Sequence, residues 1–253
     1  DISAANAGDV TDIGSFSGIE NVTGGTGDDT FNIASGATLA GGITGGTGTD
    51  TITQADGTNT WDITGTNSGD VTDIGSFSGI ENLTGGTGAD TFSVTSDGTI
   101  NLNGGAGNDT FDIDAALTGD IDGEAGTDTL DLSAAATTNT TLNASDGDGF
   151  AGTSVTNVSG GFDGINTLTG GTAGTLTGRD TSSTWGLDGT PTYNDGSNNL
   201  GFSGFNALQG GTNSDDFNIT AASSFNLDGG TGADTFNIAS GATLTGDIAG
   251  GTG

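Results

Sequence analysis

Apolar and polar residues alternate in short stretches of this chain, and the same alternation returns at nearly fixed intervals. In the stretch DTFNI near the C-terminus, Phe236 and Ile238 fall on one face and polar residues fall on the other. A period of two predicts a half-buried β-strand. The equivalent apolar positions elsewhere are Phe31/Ile33/Leu39/Ile43, Phe92/Val94/Ile100/Leu102, Phe111/Ile113/Leu117/Ile121 and Phe217/Ile219/Phe225/Leu227. These positions predict ladders of like residues in a narrow core.

A glycine-rich motif separates the strands and sets the period. Its copies begin at positions 24, 45, 85, 104, 123, 170, 210, 229 and 250. Most neighbouring copies lie about 20 residues apart, a spacing typical of solenoids, whose repeats bury their apolar face only against their neighbours. Two of the intervals between copies are about twice as long, which suggests that each of them contains two coils. The sequence therefore predicts an all-β fold with almost no helix. The expected architecture is a parallel β-solenoid of the β-helix or β-roll kind, with coils of about 19–21 residues, right-handed by the general crossover rule.

A longer repeat overlies the short one. Residues 62–92 restate residues 1–31, so the longer block spans about three coils. We expect one continuous solenoid segment over residues 1–253, with blocks of about 1–61, 62–132 and 185–253 and an irregular stretch at 133–184. Because the two ends also continue one another in sequence, we expect the chain to be a slice of a longer repeat array.

The composition removes most catalytic and nucleic-acid-binding chemistry. The 253 residues include 33 acidic side chains and one basic side chain, Arg179, and they include no His, Cys or Met. Without His or Cys, the usual nucleophile–base pairs and most transition-metal sites cannot be built. A single cation provides no cluster for phosphate or nucleic acid, and an anionic membrane surface would repel a net charge of −32. We therefore predict that the protein is not an enzyme, binds no nucleic acid and does not insert directly into a membrane.

The acidity itself requires an explanation. A high net charge and 52 glycines bring the composition close to that of disordered chains, yet the apolar residues fall at the same places in every repeat. The two facts agree if a divalent cation neutralises the acidic residues. Ca²⁺ takes six to eight oxygen ligands from carboxylates and carbonyls, and aspartates stacked less than ~5 Å apart repel each other unless a cation lies between them.

The motif copies GGTGDD, GGAGND and their companions, each followed by a strand of the form T-F/L-x-I/L, resemble the RTX, or haemolysin-type, calcium-binding repeat GGxGxDxUx. The resemblance covers most of the chain, and similar sequences occur in large secreted adhesins and surface-layer proteins of bacteria. In that family, loops stacked on one side of a β-roll hold Ca²⁺ between coils through backbone carbonyls and the sixth-position aspartate. The resemblance implies calcium ligands at Asp29, Asp50, Asp90, Asp109, Asp128, Asp215 and Asp234.

The chain also departs from the family pattern. Family β-rolls carry the motif on both edges of each coil at nine-residue spacing, whereas here it occurs once per coil, and the copy at Gly170 lacks the sixth-position aspartate. Any row of ions would therefore lie on one edge only. The alternative interpretation is that the Gly-Asp segments are only tight turns and that the acidic residues keep the protein soluble.

We expect a non-catalytic extracellular structural or adhesive module: a calcium-rigidified segment of a filament, surface layer or giant adhesin at a bacterial cell surface. Its expected partners are like segments of the same array, end to end, and lateral self-association is left open. One alternative is an ice- or mineral-binding solenoid, which would use the threonines at the third motif position: Thr26, Thr47, Thr87, Thr212, Thr231 and Thr252. A polysaccharide-active β-helix enzyme is the other, although its paired carboxylates would follow the repeat instead of forming a single cluster.

Smaller features have structural interpretations. Trp61, Trp185 and Tyr193 would suit a sugar-stacking platform, but their positions favour packing at block boundaries. Arg179 stands beside Asp180, which predicts a local ion pair that adds little to stability. Glu20 and Glu81 occupy equivalent positions of the longer repeat, where we expect them to face solvent.

Overall fold

The structure, a computed structural model, describes residues 2–4, 7–10, 14–154 and 157–253. These residues form 29 β-strands and no helix, which confirms the predicted all-β class. No helix capable of crossing a membrane occurs in the described part of the chain. The chain divides into two compact units, Asp1–Gly126 and Thr127–Gly253. This division falls inside the block predicted at 62–132.

The strands are short and follow one another closely in both units. The strands of the first unit are β1 Ile2–Ala4, β2 Ala7–Val10, β3 Gly14–Ser17, β4 Val22–Thr26, β5 Thr30–Ile33, β6 Leu39–Thr47, β7 Thr51–Gln54, β8 Thr60–Gly65, β9 Ser68–Val71, β10 Ile74–Ser78, β11 Asn82–Gly86, β12 Thr91–Val94, β13 Asn101–Gly107, β14 Thr110–Ile113, β15 Asp120–Asp122 and β16 Ala125–Gly126. The strands of the second unit are β17 Asp128–Asp131, β18 Thr140–Ser145, β19 Phe150–Ser154, β20 Val158–Thr169, β21 Thr175–Thr177, β22 Ser183–Leu187, β23 Thr192–Asn194, β24 Asn199–Ser203, β25 Ala207–Gln209, β26 Asp215–Ile219, β27 Asn226–Asp228, β28 Thr235–Ile238 and β29 Ile248–Ala249.

Strands from successive repeats pair in parallel, and the repeat period sets their register. In the pairing of β5 with β7, Phe31 stands opposite Ile52, which holds the same position in the next motif copy. In the pairing of β12 with β14, Phe92 stands opposite Phe111, again its equivalent in the next copy. Equivalent residues of successive repeats therefore lie beside each other, because each strand carries the same alternation. A shift of the register by one residue would turn every apolar side chain outward.

The inward-facing side chains form the core of each unit, and its aromatic rings stack. The stacked rings are Trp61–Phe92 and Phe92–Phe111 in the first unit, with centroids 5.6 and 5.1 Å apart, and Trp185–Phe217 and Phe217–Phe236 in the second, at 5.4 and 5.0 Å. The predicted ladders of like residues are thus confirmed. Both tryptophans and Tyr193 are fully buried, so they pack inside the protein and offer no platform to a sugar.

Three-stranded antiparallel meanders interrupt the parallel arrangement, and the hydrophobic pattern did not predict them. In the first unit, β8, β9 and β10 pair antiparallel. The turns that reverse the chain place Asn67 and Asp73 at φ values of 50° and 68°, a conformation that Asn and Asp tolerate better than other side chains. Strands β1–β3, β18–β20 and β22–β24 repeat the arrangement.

The meanders correct one prediction about the coils. The long interval between the motifs at Gly45 and Gly85 is not two ordinary coils, because it contains the meander of β8, β9 and β10. After that meander, Asn82 of β11 stands opposite Thr51 of β7, so this parallel pairing spans the whole meander. The tight turns at Asn67 and Asp73 reverse the direction of the chain. The strand that next pairs in parallel with β7, which is β11, therefore lies more than one repeat period further along the sequence.

Candidate functional site

The sixth-position aspartate of each motif turns back toward the first glycine of the same motif. A Cβ atom on Gly85 would lie less than 3.0 Å from Oδ2 of Asp90 and from the carbonyl oxygen of Gly104. The first glycines that would meet their own motif's aspartate in this way are Gly24, Gly45, Gly85, Gly104, Gly210 and Gly229. The motif therefore requires glycine at its first position because the carboxylate occupies the space that a side chain would need.

The motif aspartates are mostly buried. The fully buried ones are Asp50, Asp90, Asp109, Asp128 and Asp215, each at most 1% exposed, and Asp29 and Asp234 are half-buried. Acidic residues of this class are almost never fully buried without a partner. Solubility would therefore depend on the other acidic residues, and the alternative interpretation, in which the Gly-Asp segments are only tight turns, stays open.

Hydrogen bonds link the motif aspartates of successive repeats. The backbone N–H of one aspartate donates to Oδ1 of the next, and the bonds are Asp29 to Asp50 at 2.8 Å, Asp90 to Asp109 at 2.7 Å and Asp215 to Asp234 at 3.0 Å. The structure thus brings together three pairs that the repeat spacing marks as neighbours. Asp128 differs, because its backbone N–H donates to Oδ1 of Asn166 at 2.8 Å.

Other side chains replace the aspartate where a meander separates two motifs. Oε2 of Glu81 accepts the backbone N–H of Asp50 at 2.7 Å, so the prediction that Glu81 faces solvent, made from its place in the repeat, is wrong. The backbone N–H and Nδ2 of Asn59 donate to Oδ1 of Asp90 at 2.6 and 2.8 Å. Sequence reasoning missed Glu81 and Asn59 as partners because neither belongs to the glycine motif.

One oxygen of several motif carboxylates has no hydrogen-bond donor. Oδ2 is buried and accepts no hydrogen bond in Asp29, Asp50, Asp90 and Asp234. Burial raises the pKa of Asp90 to about 6, against the opposing effect of the bonds from Asn59, and the neighbouring Asp109 charge raises it further. Burial also raises the pKa of Asp109 and of Asp215. A buried carboxylate oxygen of this kind calls for a cation or a proton.

The oxygen atoms at these positions have the chemical character that calcium prefers. At Gly24, Oδ2 of Asp29 and the carbonyl oxygen of Gly45 both lie within 3.0 Å of the position that a Cβ atom would take, and Asp90 and Gly104 do the same at Gly85. Carboxylate and carbonyl oxygens are the ligands of Ca²⁺, which takes six to eight of them. In the described ranges, however, no three acidic side chains come together as a group that could hold a metal ion. Each of these two positions thus brings near each other two oxygen atoms of the kind that can bind a cation.

The single cation of the chain has a structural partner in the second unit. Nη1 of Arg179 pairs with Oδ2 of Asp195 and donates to Oγ of Ser145 at 2.6 Å. The predicted pairing with Asp180 is therefore wrong: the side chain of Asp195 is fully buried, and a buried carboxylate gains more from a cation than an exposed one does. Burial alone would raise the pKa of Asp195, but hydrogen bonds from Ser145 and from neighbouring backbone amides, together with Arg179, outweigh it and hold the pKa at about 2.

Comparison with known proteins identifies no relative. A scan against protein-family models found no match, and neither did a search of curated proteins. The resemblance of the motif copies to the RTX repeat therefore stays a prediction from the residues themselves.

Proposed function

We propose that this chain is a non-catalytic, extracellular structural or adhesive module, built as a right-handed β-solenoid and stiffened by calcium. Two observations support the architecture: parallel pairings between equivalent positions of successive motif copies, and ladders of like side chains between repeats. In such a stack each repeat stabilises its neighbours, so the length and stiffness of the whole depend on the number of repeats. This role suits a segment of a filament, surface layer or large adhesin.

The repetition of the buried carboxylates carries this proposal. A catalytic site is a single cluster of groups with distinct tasks, whereas here the same aspartate recurs in repeat after repeat with the same hydrogen bond to the next. Each of these carboxylates holds a buried charge that favours the unfolded chain unless it is neutralised. Groups arranged in this way suit a stack that a bound cation stabilises, and they do not suit a catalytic site.

Calcium is the cation that we propose for these positions. Oδ2 of Asp90 and the carbonyl oxygen of Gly104 would contribute to one site, and the corresponding atoms of Asp29 and Gly45 to another. An ion that binds only the folded chain adds about 2.7 kcal/mol per site when its concentration is a hundred times the dissociation constant. Extracellular calcium is millimolar, which suits weak sites of this class. We therefore propose a location outside the cell, at a bacterial surface.

A calcium titration tests the proposal. We expect millimolar Ca²⁺ to raise the unfolding midpoint of the purified chain and a chelator to reverse the increase, followed by far-UV circular dichroism and by tryptophan fluorescence. Trp61 is a suitable reporter because it stacks on Phe92, close to Asp90 in the sequence. An unfolding midpoint that does not respond to calcium would overturn the calcium proposal.

A matched pair of variants locates the effect. Asp90→Asn keeps the shape of the side chain and removes the buried charge, and Asp70→Asn makes the same change at an exposed position in the same unit. We expect Asp90→Asn to lose part of the calcium response and, without calcium, to be more stable than the parent at pH 7.5 by about 1–3 kcal/mol, because its Nδ2 can donate to the Gly104 carbonyl. Asp70→Asn should change neither quantity.

Ice or mineral binding is a second candidate, supported by aligned threonines. Thr26 stands opposite Thr47, and Thr231 opposite Thr252, with all four side chains exposed. Thr87 does not continue such an array freely, because its hydroxyl donates to Oδ1 of Asp56 at 2.6 Å. Thermal hysteresis measurements test this candidate, and a solution of the chain that freezes like a buffer control would exclude ice binding.

A further inference from the structure

Two copies of the glycine motif place their oxygen atoms alike but surround them with different donors. We call residues 210–215 the Asp215 copy and residues 85–90 the Asp90 copy. At the first glycine of both copies, a Cβ atom would lie less than 3.0 Å from Oδ2 of the motif aspartate and from the carbonyl oxygen of the next copy's first glycine. The two carboxylates can therefore be compared directly, and they differ in the hydrogen bonds that they accept.

Both carboxylate oxygens of Asp215 accept a hydrogen bond. The hydroxyl of Ser183 donates to Oδ1, and the backbone N–H of Gly211 donates to Oδ2 at 2.9 Å. Asp90 receives both of its bonds from Asn59 on the same oxygen, and its Oδ2 is buried without a donor. Each aspartate is at most 1% exposed, so solvent does not supply a missing donor. The chain itself therefore stabilises both oxygens of Asp215 but only one oxygen of Asp90.

Ser183 and Asn59 hold equivalent positions in the two units. Ser183 lies two residues before Trp185, and Asn59 lies two residues before Trp61. Each tryptophan stands opposite the phenylalanine that follows the motif aspartate by two residues. The same place beside the motif aspartate is thus taken by a serine in the second unit and by an asparagine in the first.

A tyrosine completes the hydrogen-bond chain behind Ser183. The hydroxyl of Tyr193 accepts the backbone N–H of Arg179 at 2.9 Å and shares a hydrogen bond with the side chain of Ser183. Because the proton of Ser183 is used on Asp215, the Tyr193 hydroxyl donates to Ser183. Burial raises the pKa of Tyr193 above its ordinary value of 10.0, so the hydroxyl keeps its proton at neutral pH. In the first unit Val71, which has no hydroxyl, holds the corresponding place opposite the tryptophan.

The backbone of the Asp215 copy differs as well. In six other copies the second residue is a glycine with a φ between 73° and 120°: Gly25, Gly46, Gly86, Gly105, Gly230 and Gly251. Gly211, the second residue of the Asp215 copy, lies outside this region. Asn213 stands at the fourth position, which is glycine in every other copy with the aspartate, and its Nδ2 donates to the carbonyl oxygen of Asp180 at 2.8 Å. The turn thus has another conformation, in which the N–H of Gly211 points at Asp215.

We propose that the Asp215 copy binds no cation, because the hydroxyl of Ser183 and the N–H of Gly211 take the place that calcium has at the other motif aspartates. A cation beside Oδ2 would also meet the positive end of the Gly211 N–H dipole. Ser183 is the residue that determines this difference, and Asp215 is a structural residue instead of the calcium ligand that the resemblance implies. The inference rests on the proposed calcium role, since it states which motif copy is exempt from it.

A comparison of two equivalent substitutions tests the inference by urea unfolding of the full chain, with a chelator and with millimolar Ca²⁺. We expect Asp215→Asn to keep the calcium response of the parent, whereas Asp90→Asn loses part of it. With the chelator, Asp215→Asn should raise the unfolding equilibrium constant about tenfold. The reason is that an amide brings donor hydrogens to a place where Ser183 and Gly211 already donate, which leaves one buried donor without an acceptor. Asp90→Asn should lower the same constant, so the two effects have opposite signs.

A second pair of variants tests the role of Ser183 itself. Ser183→Ala removes the hydroxyl donor from Asp215 and brings its carboxylate closer to the situation of Asp90. We expect this variant to raise the unfolding constant about tenfold with the chelator and to respond more strongly to calcium than the parent does. Ser182→Ala, at the exposed neighbouring position, should change neither quantity. A loss of stability with an unchanged calcium response would show that Ser183 only supports the fold.

The outcomes separate this inference from the calcium proposal. If the parent responds to calcium and Asp215→Asn loses as much of the response as Asp90→Asn, then Asp215 binds a cation and the inference is wrong, while the calcium proposal stands. If no variant responds to calcium, the calcium proposal fails, and effects of the same sign with the chelator would overturn the inference as well. Circular dichroism confirms that the variants are folded, and the Ser183 pair decides the question if Asp215→Asn is not.

Discussion

A single motif aspartate, Asp90, takes part in several structural contacts. Asp90 lies almost fully buried beneath Gly85, accepts hydrogen bonds from Asn59 on one oxygen and leaves the other without a donor. Its backbone N–H donates to the next aspartate, Asp109. One residue therefore occupies the space above the glycine of its turn, links two repeats and keeps one buried carboxylate oxygen without a donor.

This burial predicts how stability depends on pH. The pKa of Asp90 in the folded chain is about 6, above its ordinary value of 3.8, so the folded state binds the proton more tightly than the unfolded state does. In calcium-free buffer we therefore expect the free energy of unfolding to rise as the pH falls from about 7 to about 4, by up to roughly 3 kcal/mol for this group. The increase is absent above the folded pKa and complete below the unfolded one.

Urea unfolding at several pH values measures this dependence. The Asp90→Asn variant should show a flatter dependence than the parent, because the titrating group is gone, while Asp70→Asn should follow the parent. A parent protein that loses stability steadily between pH 7 and pH 4 would contradict the expected sign.

Among the structural elements, two hairpin turns of the second unit are linked by an ion pair and by hydrogen bonds. Asp195 lies in the turn after β23, and Ser145, at the end of β18, donates to its Oδ2 at 2.5 Å while accepting from Arg179. Nδ2 of Asn198 also donates to the carbonyl oxygen of Gly149 at 3.0 Å. The two antiparallel meanders of this unit are thus tied together at their turns by polar contacts, where the parallel ladders do not reach.

Removal of the carboxylate in this cluster should be costly. We expect Asp195→Asn to lower the free energy of unfolding by about 3–5 kcal/mol, because Arg179 loses its charged partner in a buried setting. Asp180→Asn, beside Arg179 in sequence but exposed, should change it by less than about 0.5 kcal/mol. Urea unfolding followed by tryptophan fluorescence measures both, and equal effects of the two variants would show that the buried pair has no special role.

At the scale of the whole molecule, the dominant property is charge. The chain carries 33 acidic residues and one basic residue, so most acidic side chains repel their neighbours with no compensating cation. Self-repulsion of this kind opposes the compact state. Counterions or bound cations would reduce this repulsion.

Monovalent salt should therefore stabilise the chain even without calcium. Raising the ionic strength from about 0.01 M to about 0.15 M shortens the screening length from roughly 30 to 8 Å, and we expect the thermal midpoint to rise over this range. The measurement is made with a chelator present, so that trace calcium has no effect. A midpoint that is independent of salt would mean that the acidic side chains are too far apart to interact.

The strands that follow the glycine motif, and their parallel register, could be predicted from the sequence alone. Phe92 stacks on Phe111 and Phe217 on Phe236 because the same alternation recurs at a fixed period, and alternation is a local property that any stretch of chain carries by itself. The neighbouring pairs of motif aspartates followed from the same period. Repetition made these contacts predictable, because equivalent residues of adjacent repeats meet whenever the repeats stack in register.

Only the tertiary structure decided where the repetition is broken and how deeply the acidic residues lie. Asn67 and Asp73 reverse the chain through positive φ values, and this reversal accompanies the antiparallel pairing of β9 with β8 and β10. Across a meander, Glu81 accepts a hydrogen bond from Asp50 and Asn59 donates one to Asp90, in place of a second motif aspartate. Arg179 pairs with Asp195 and not with Asp180, its neighbour in the sequence. The residues in these contacts are not separated by the repeat period. Their positions therefore follow from the packing of the whole chain and not from any local pattern.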